Sequence, residues 1–150
     1  MSEKKQIENI AKATNILPRL MNYFSSSFKP QFEVPLKKNE IKTLMELHFS
    51  PGKPMKHYIE FLDMESGSFT YLADKLERKE LIRRIASQED KRKTVLELTD
   101  KGSELTNKMM EMFNSHVTNL ISNLDDAGLK ELQSAIDSLE RIYRDLNKEK

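Results

Sequence analysis

The sequence predicts a mainly helical α+β chain whose only strands form one small β-hairpin. Three observations carry this. Apolar residues recur at three- and four-residue intervals over most of the length, the period of a helix with one buried face. Residues 81–85 and 94–98 are short β-compatible runs flanking a polar stretch, which is a hairpin pattern. Only four Gly and five Pro punctuate 150 residues, so few breaks interrupt the helices.

The first helical period joins Ile7, Ile10, Leu17, Leu20, Met21, Phe24 and Phe28. Pro18 falls inside it, so the helix either kinks there or restarts with Pro in its first turn. Pro30 and Pro35 bracket a connection, and a short helix follows with Ile41, Leu44, Met45 and His48 on one face. Ser50-Pro51-Gly52-Lys53-Pro54 is a clear break. Two short helices come next. The first covers about residues 55–62, with Tyr58, Ile59 and Leu62 inward. The second follows a turn at 63–67 and turns Phe69, Leu72, Ala73 and Leu76 inward, with Ser66 or Ser68 as its expected cap. Two short helices joined by a tight, Gly-containing turn outline a helix-turn-helix.

The hairpin follows, with residues 87–93 as its charged tip. Thr99 ends it and caps a long helix whose apolar face is Leu105, Met109, Met112, Phe113, His116, Val117, Leu120, Ile121 and Leu124. Asp125 or Asp126 caps the last helix. Its apolar positions Leu129, Leu132, Ile136, Leu139, Tyr143 and Leu146 step by three and four, a heptad-like stripe suited to packing on a partner.

Composition narrows the function classes. A chain of 150 residues is one ordinary domain and buries roughly two-thirds of its unfolded surface. With no Cys, disulfides, thiol switches, thiolate nucleophiles and Cys-ligated zinc are excluded. The longest unbroken apolar run, Tyr71-Leu72-Ala73, is far too short for a bilayer, and no secretory signal follows Met1. The expected location is the cytoplasm, with no membrane partner. Gly52, Gly67, Gly102 and Gly128 stand singly, so there is no phosphate-binding Gly loop. No nucleophile, base and orienting group are suggestively placed, and the chain is not expected to be an enzyme or to carry a cofactor. His48, His57 and His116 fall in three different helices without ligand spacing, so no metal site is expected.

Net charge is only +1, but it is unevenly placed. Between residues 78 and 93 seven bases (Arg78, Lys79, Arg83, Arg84, Lys91, Arg92, Lys93) face three acids (Glu80, Glu89, Asp90). One basic segment on a near-neutral chain suits a focused contact with a polyanion, and it equally suits a solvated charged surface.

The stretch from Leu76-Glu77-Arg78-Lys79-Glu80-Leu81-Ile82-Arg83-Arg84 to Asp90-Lys91-Arg92-Lys93-Thr94-Val95-Leu96-Glu97-Leu98-Thr99-Asp100-Lys101-Gly102 resembles the MarR family of transcriptional regulators. Those proteins carry a wing with an Asp-x-Arg tip, then a strand ending in Leu-Thr-x-x-Gly. The resemblance implies a homodimer with winged helix-turn-helix lobes and a dimerisation region built from the first and last two helices. Here that gives residues 1–29 and 103–150 for dimerisation and 30–102 for the winged helix-turn-helix, in one intertwined domain. Glu80 departs from the pattern, because the family commonly has Gly after the recognition helix. Gly eases a left-handed turn, so a somewhat different helix exit is expected.

On this reading the partner is double-stranded DNA, bound at a pseudo-palindromic operator, and repression is the expected mode. Ser66, Ser68 and Thr70 offer hydroxyls near the N-terminus of the recognition helix, and Tyr71, Lys75 and Arg78 lie on its outward face beside Asp74. The same hydroxyls also suit capping and solvent, and Tyr71 also suits a partly buried place. At the wing, Arg92 fits a narrow minor groove, and Lys91 and Lys93 are phosphate contacts. The resemblance implies that Asp90 orients Arg92 through a carboxylate–guanidinium pair. It also implies a cleft for a small hydrophobic or aromatic effector, for which Phe24, Phe28, Met45, His48, Met109 and Phe113 are candidates. Those six residues also read as ordinary core. An alternative from another class stays open: a winged-helix module that binds protein through its heptad stripe and does not read DNA sequence.

Overall fold

A computed structural model describes residues 2–148. Its elements are α1 (Glu3–Ala13), α2 (Ile16–Ser25), α3 (Lys38–Phe49), α4 (Met55–Leu62), α5 (Ser66–Arg78), β1 (Ile82–Ala86), β2 (Thr94–Leu98), α6 (Asp100–Ile121) and α7 (Asp126–Lys148). The mainly helical class with a single hairpin is what the periodicity predicts. No described helix is long and apolar enough to cross a membrane.

Contacts divide the chain into two units. One holds residues 1–29 and 113–150, the other residues 30–112. In the first, the helix restarts at Ile16, which places Pro18 in the first turn of α2, where its missing N–H costs nothing. Phe28 packs edge-on against Phe113 with ring centroids 5.2 Å apart, and His116 lies 5.4 Å from the same ring. Asp125 caps α7, its carboxylate accepting from the Gly128 amide at 2.8 Å. The apolar stripe of α7 is exposed: Leu129, Ile136, Leu139, Tyr143 and Leu146 all face solvent, as do Ile7 and Ile10 of α1.

The second unit holds the core, made of Leu44, Leu47, Tyr58, Phe69, Leu72, Ala73, Leu76, Leu81, Ile82 and Leu96. Tyr58 and Phe69 stack with an interplanar angle of 8° and donate most of its aromatic area. The Tyr58 hydroxyl donates to the Ser50 carbonyl at 3.0 Å, and burial pushes its phenol up to about 12. The face of α3 differs from the expected one. Glu40, Thr43, Leu44 and Leu47 are buried, whereas Ile41, Met45 and His48 are only half-buried. Two polar groups occupy that face because each has a partner. Thr43 donates to the Asn39 carbonyl, and Glu40 accepts from the Lys37 amide at 2.7 Å and from Lys79 at 2.9 Å.

The helix-turn-helix turn is Asp63-Met64-Glu65. Asp63 is left-handed at φ 50°, which a short polar side chain tolerates, and Met64 N–H closes onto the Ile59 carbonyl. Ser66 is the first residue of α5, so neither Ser66 nor Ser68 caps it. Glu65 stands at the cap position without a side-chain bond, and Gly67 lies in the first turn. The inward set Phe69, Leu72, Ala73 and Leu76 is buried as the spacing predicts. The hairpin pairs Ile82 with Leu98 through Ala86 with Thr94 in antiparallel register. A single bridge between Pro54 and Val95 adds the 50–54 turn to its edge, a long-range pairing with no local signal.

Glu80 makes the exit from α5. It takes the left-handed conformation itself, at φ 59°, so the exit keeps the geometry that Gly would ease. Leu81 N–H reaches the Leu76 carbonyl at 3.0 Å, and Thr99 Oγ1 donates to the Glu80 carbonyl at 2.6 Å. The Glu80 carboxylate is exposed and contributes little. Replacing Glu80 with Gly is therefore expected to stabilise the fold by about 0.5–1 kcal/mol, measured as a raised urea midpoint with unchanged slope.

Candidate nucleic-acid interface

α5 presents its solvent face because the opposite one is sealed in the core. Ser66, Ser68, Thr70, Tyr71 and Arg78 are exposed and Lys75 is half-buried, so the hydroxyls and cations expected there share one surface. Thr70 Oγ1 donates to the Ser66 carbonyl at 2.9 Å, which leaves its oxygen lone pairs outward. Tyr71 is 59% exposed rather than partly buried, and the Lys75 ammonium lies 4.6 Å from its ring centroid. That contact holds two flexible side chains over one patch.

Asp74 and Glu77 would repel a polyanion if they were free, but both are paired with Arg84 of β1, which offsets one of their two charges and turns the carboxylates toward the wing. Its guanidinium donates to Asp74 Oδ1 at 2.7 Å and to Glu77 Oε2, and its backbone amide donates to Glu77 Oε1. The sequence placed Arg84 in the basic segment without showing this second role. Lys79 is likewise tied to buried Glu40, and Arg83 to Glu97 at 3.1 Å. Arg78, Lys91 and Arg92 make no ion pair among the described residues. The seven bases of residues 78–93 thus separate into structural cations and a smaller outward set.

At the wing tip Asp90 acts on backbone. Its Oδ1 accepts from the Arg92 amide at 3.1 Å, and Ser87 Oγ accepts from Glu89 and Asp90 amides. Lys93 Nζ is 4.0 Å from Asp90 Oδ2, a loose pair. The expected Asp90–Arg92 carboxylate–guanidinium pair is not formed. Its physical reason is the tight turn, which aims the carboxylate at the amide two residues on and leaves the guanidinium outward.

The candidates for an effector are distributed over both units. Phe28 and Phe113 touch in the first, and Phe24 is half-buried with its ring 5.9 Å from Tyr23. In the second, Met109 is buried, Met45 is half-buried, and His48 Nδ1 lies 3.5 Å from Thr106 Oγ1. No group of three or more His, Cys, Asp or Glu side chains suited to a metal ion occurs among the described residues.

Residues missed by the sequence reading are Lys37 and Lys38. They begin α3, where no charge run marks them, yet they line one depression with Ser68, Tyr71 and Lys75.

The sequence model of the MarR family matches residues 36–94, from the start of α3 to β2. The HTH-type transcriptional regulator MhqR of Bacillus subtilis (strain 168) is 32% identical over 107 residues, covering 71% of this chain and 72% of that protein. Among solved structures, a MarR-like transcriptional regulator from Thermotoga maritima has a TM-score of 0.65 at 21% identity, covering 96% of this chain and 98% of the other. MepR of S. aureus, solved bound to ethidium bromide, has a TM-score of 0.58 at 16% identity, covering 95% and 97%. The helix-turn-helix, the wing and these likenesses agree, and the chain belongs to the MarR family of transcriptional regulators.

Proposed function

We propose that the protein is a homodimeric repressor that binds a pseudo-palindromic operator, with α5 in the major groove and the wing tip in the adjoining minor groove. The observation that carries this is the sorting of charge. Arg84 masks the carboxylates of α5, while Lys75, Arg78, Lys91 and Arg92 remain free for phosphates and base edges beside the exposed hydroxyl face. Arg92 enters the minor groove, where A·T-rich sequence gives the strongest negative potential. Each protomer reads one half-site, with centres about 10 bp or roughly 34 Å apart. Dimerisation covers the apolar side chains left exposed on α1 and α7. Repression follows from occupying promoter DNA. A small hydrophobic or aromatic effector releases it, and Phe24, Phe28, Met45, His48, Met109 and Phe113 are the candidates to line its site. Ethidium bound to the structurally similar MepR supports an effector of this chemistry.

The test is fluorescence anisotropy with a labelled duplex from upstream of the protein's own gene and a scrambled duplex, at about 50 and 200 mM salt. Wild type is expected to prefer the upstream duplex at both salts. Arg92→Ala is expected to weaken that binding by about 1–3 kcal/mol, roughly 5- to 150-fold, with sedimentation unchanged. If Arg92→Ala bound both duplexes as wild type does, the protein-interaction reading would take over.

A further inference from the structure

The start of α3 faces α5 across a furrow whose α3 side carries none of the recognition residues. One part, with a volume of about 420 Å³, is lined by Lys37, Lys38, Ser68, Tyr71 and Lys75 among others. The adjoining part is lined by Lys37, Lys75, Arg78 and Lys79 along the Pro35–Leu36 backbone. Glu40 is the only acid lining either part. It is buried and already held by Lys79 and the Lys37 amide, which keep its carboxyl below the usual range against the opposing effect of burial. Lys37, Lys38, Lys75 and Arg78 make no ion pair among the described residues.

Four cations without an ion pair among the described residues along one furrow, next to two hydroxyl-bearing side chains, match a linear polyanion better than a compact ligand. We propose that this furrow seats the sugar-phosphate backbone of one DNA strand at the edge of the groove read by α5. Lys37 and Lys38 then supply two phosphate contacts that add affinity and fix register without reading sequence. This rests on the DNA-binding reading above. Because Glu40 engages the Lys37 backbone amide and not its side chain, removing the ammonium groups leaves the helix cap intact.

The experiment compares full-length wild type, Lys37→Ala with Lys38→Ala, and a charge-matched control, Lys12→Ala with Lys130→Ala. Each is titrated with the upstream and scrambled duplexes from about 50 to 200 mM salt. Each lysine that contacts phosphate is expected to contribute about 0.9 to the slope of log affinity against log salt, so for each bound protomer the double variant loses about 12-fold less affinity than wild type over that range. The preference for the upstream duplex stays within twofold of wild type, and the control keeps the wild-type slope. Lys37→Gln with Lys38→Gln, which keeps the side-chain stems, is expected to behave like the Ala pair. An unchanged slope in both pairs overturns the proposal. So does a collapse of sequence preference, which would make these residues part of base reading or of α5 placement. Wild type that binds neither duplex would instead sink the DNA-binding reading, and this proposal with it.

Discussion

Gly102→Ala is expected to destabilise the unit of residues 30–112 by about 3 kcal/mol or more, enough to leave much of it unfolded at 37 °C. Gly102 lies in the first turn of α6, where it is buried. A Cβ there would fall far inside the contact distance of the Leu81 carbonyl oxygen, 3.0 Å from the Leu81 carbonyl carbon and 3.3 Å from Leu98 Cδ2. The Leu81 backbone has no room to give. The Leu81 carbonyl accepts from Thr99 N–H at 3.1 Å, and the Leu81 amide closes the exit of α5 onto Leu76. Moving the strand would break both bonds and shift β1 under the recognition helix. The measurement is a urea melt followed by near-UV circular dichroism. A midpoint within experimental error of wild type would refute this account of the Leu-Thr-x-x-Gly segment.

Lys79→Met is expected to cost about 3 kcal/mol at neutral pH, through a different mechanism. Lys79 donates to both Glu40 oxygens and to the Pro35 carbonyl, and the Glu40 side chain is only 4% exposed. Removing the ammonium leaves a buried carboxylate held by one amide. Glu40→Gln is expected to cost less, because the orphaned Lys79 is long and a quarter exposed and turns to water. The pH dependence separates the two. In wild type the Glu40 carboxyl is held below its ordinary 4.5: burial opposes this, but the Lys37 amide and Lys79 outweigh it. Its stabilising contribution is therefore complete above 4.5 and is lost as pH falls through the depressed native value. In Lys79→Met burial dominates and the sign reverses, so the deficit relative to wild type shrinks on acidification. A deficit that stayed constant between pH 7 and pH 4 would show that the lysine acts through packing alone.

Those two sites show what the sequence disclosed and what it hid. The limits of α4 were legible because Pro54 and Asp63 punctuate them locally, and the inward residues of α5 because a 3.6-residue period admits one buried face. Thr99 and Asp125 announced their helices for the same local reason. The buried face of α3 was not legible, since the partner that makes Glu40 tolerable lies 39 residues away. Arg84 reads in sequence only as one of seven bases in a segment, because the carboxylates that hold it stand on another element. Lys37 and Lys38 carry no signal until α3 and α5 are placed side by side. Short-range chemistry writes itself into adjacent residues, whereas compensation between distant charges appears only after folding.

The Arg84 clamp has a consequence for helical phase. Its guanidinium joins β1 to two carboxylates one turn apart on α5, a tie that on the proposed function sets the angle between wing and recognition helix in the free protein. A duplex read by both must then present its major-groove step and the neighbouring minor-groove step at one rotational setting. One base pair inserted between those steps turns them apart by about 34°. A hinged wing would swing to follow, but a clamped one has to lose a groove or twist the DNA. Under the proposed DNA-binding function, an operator half-site is measured in degrees of twist as well as in bases, a constraint set by an ion network inside the protein.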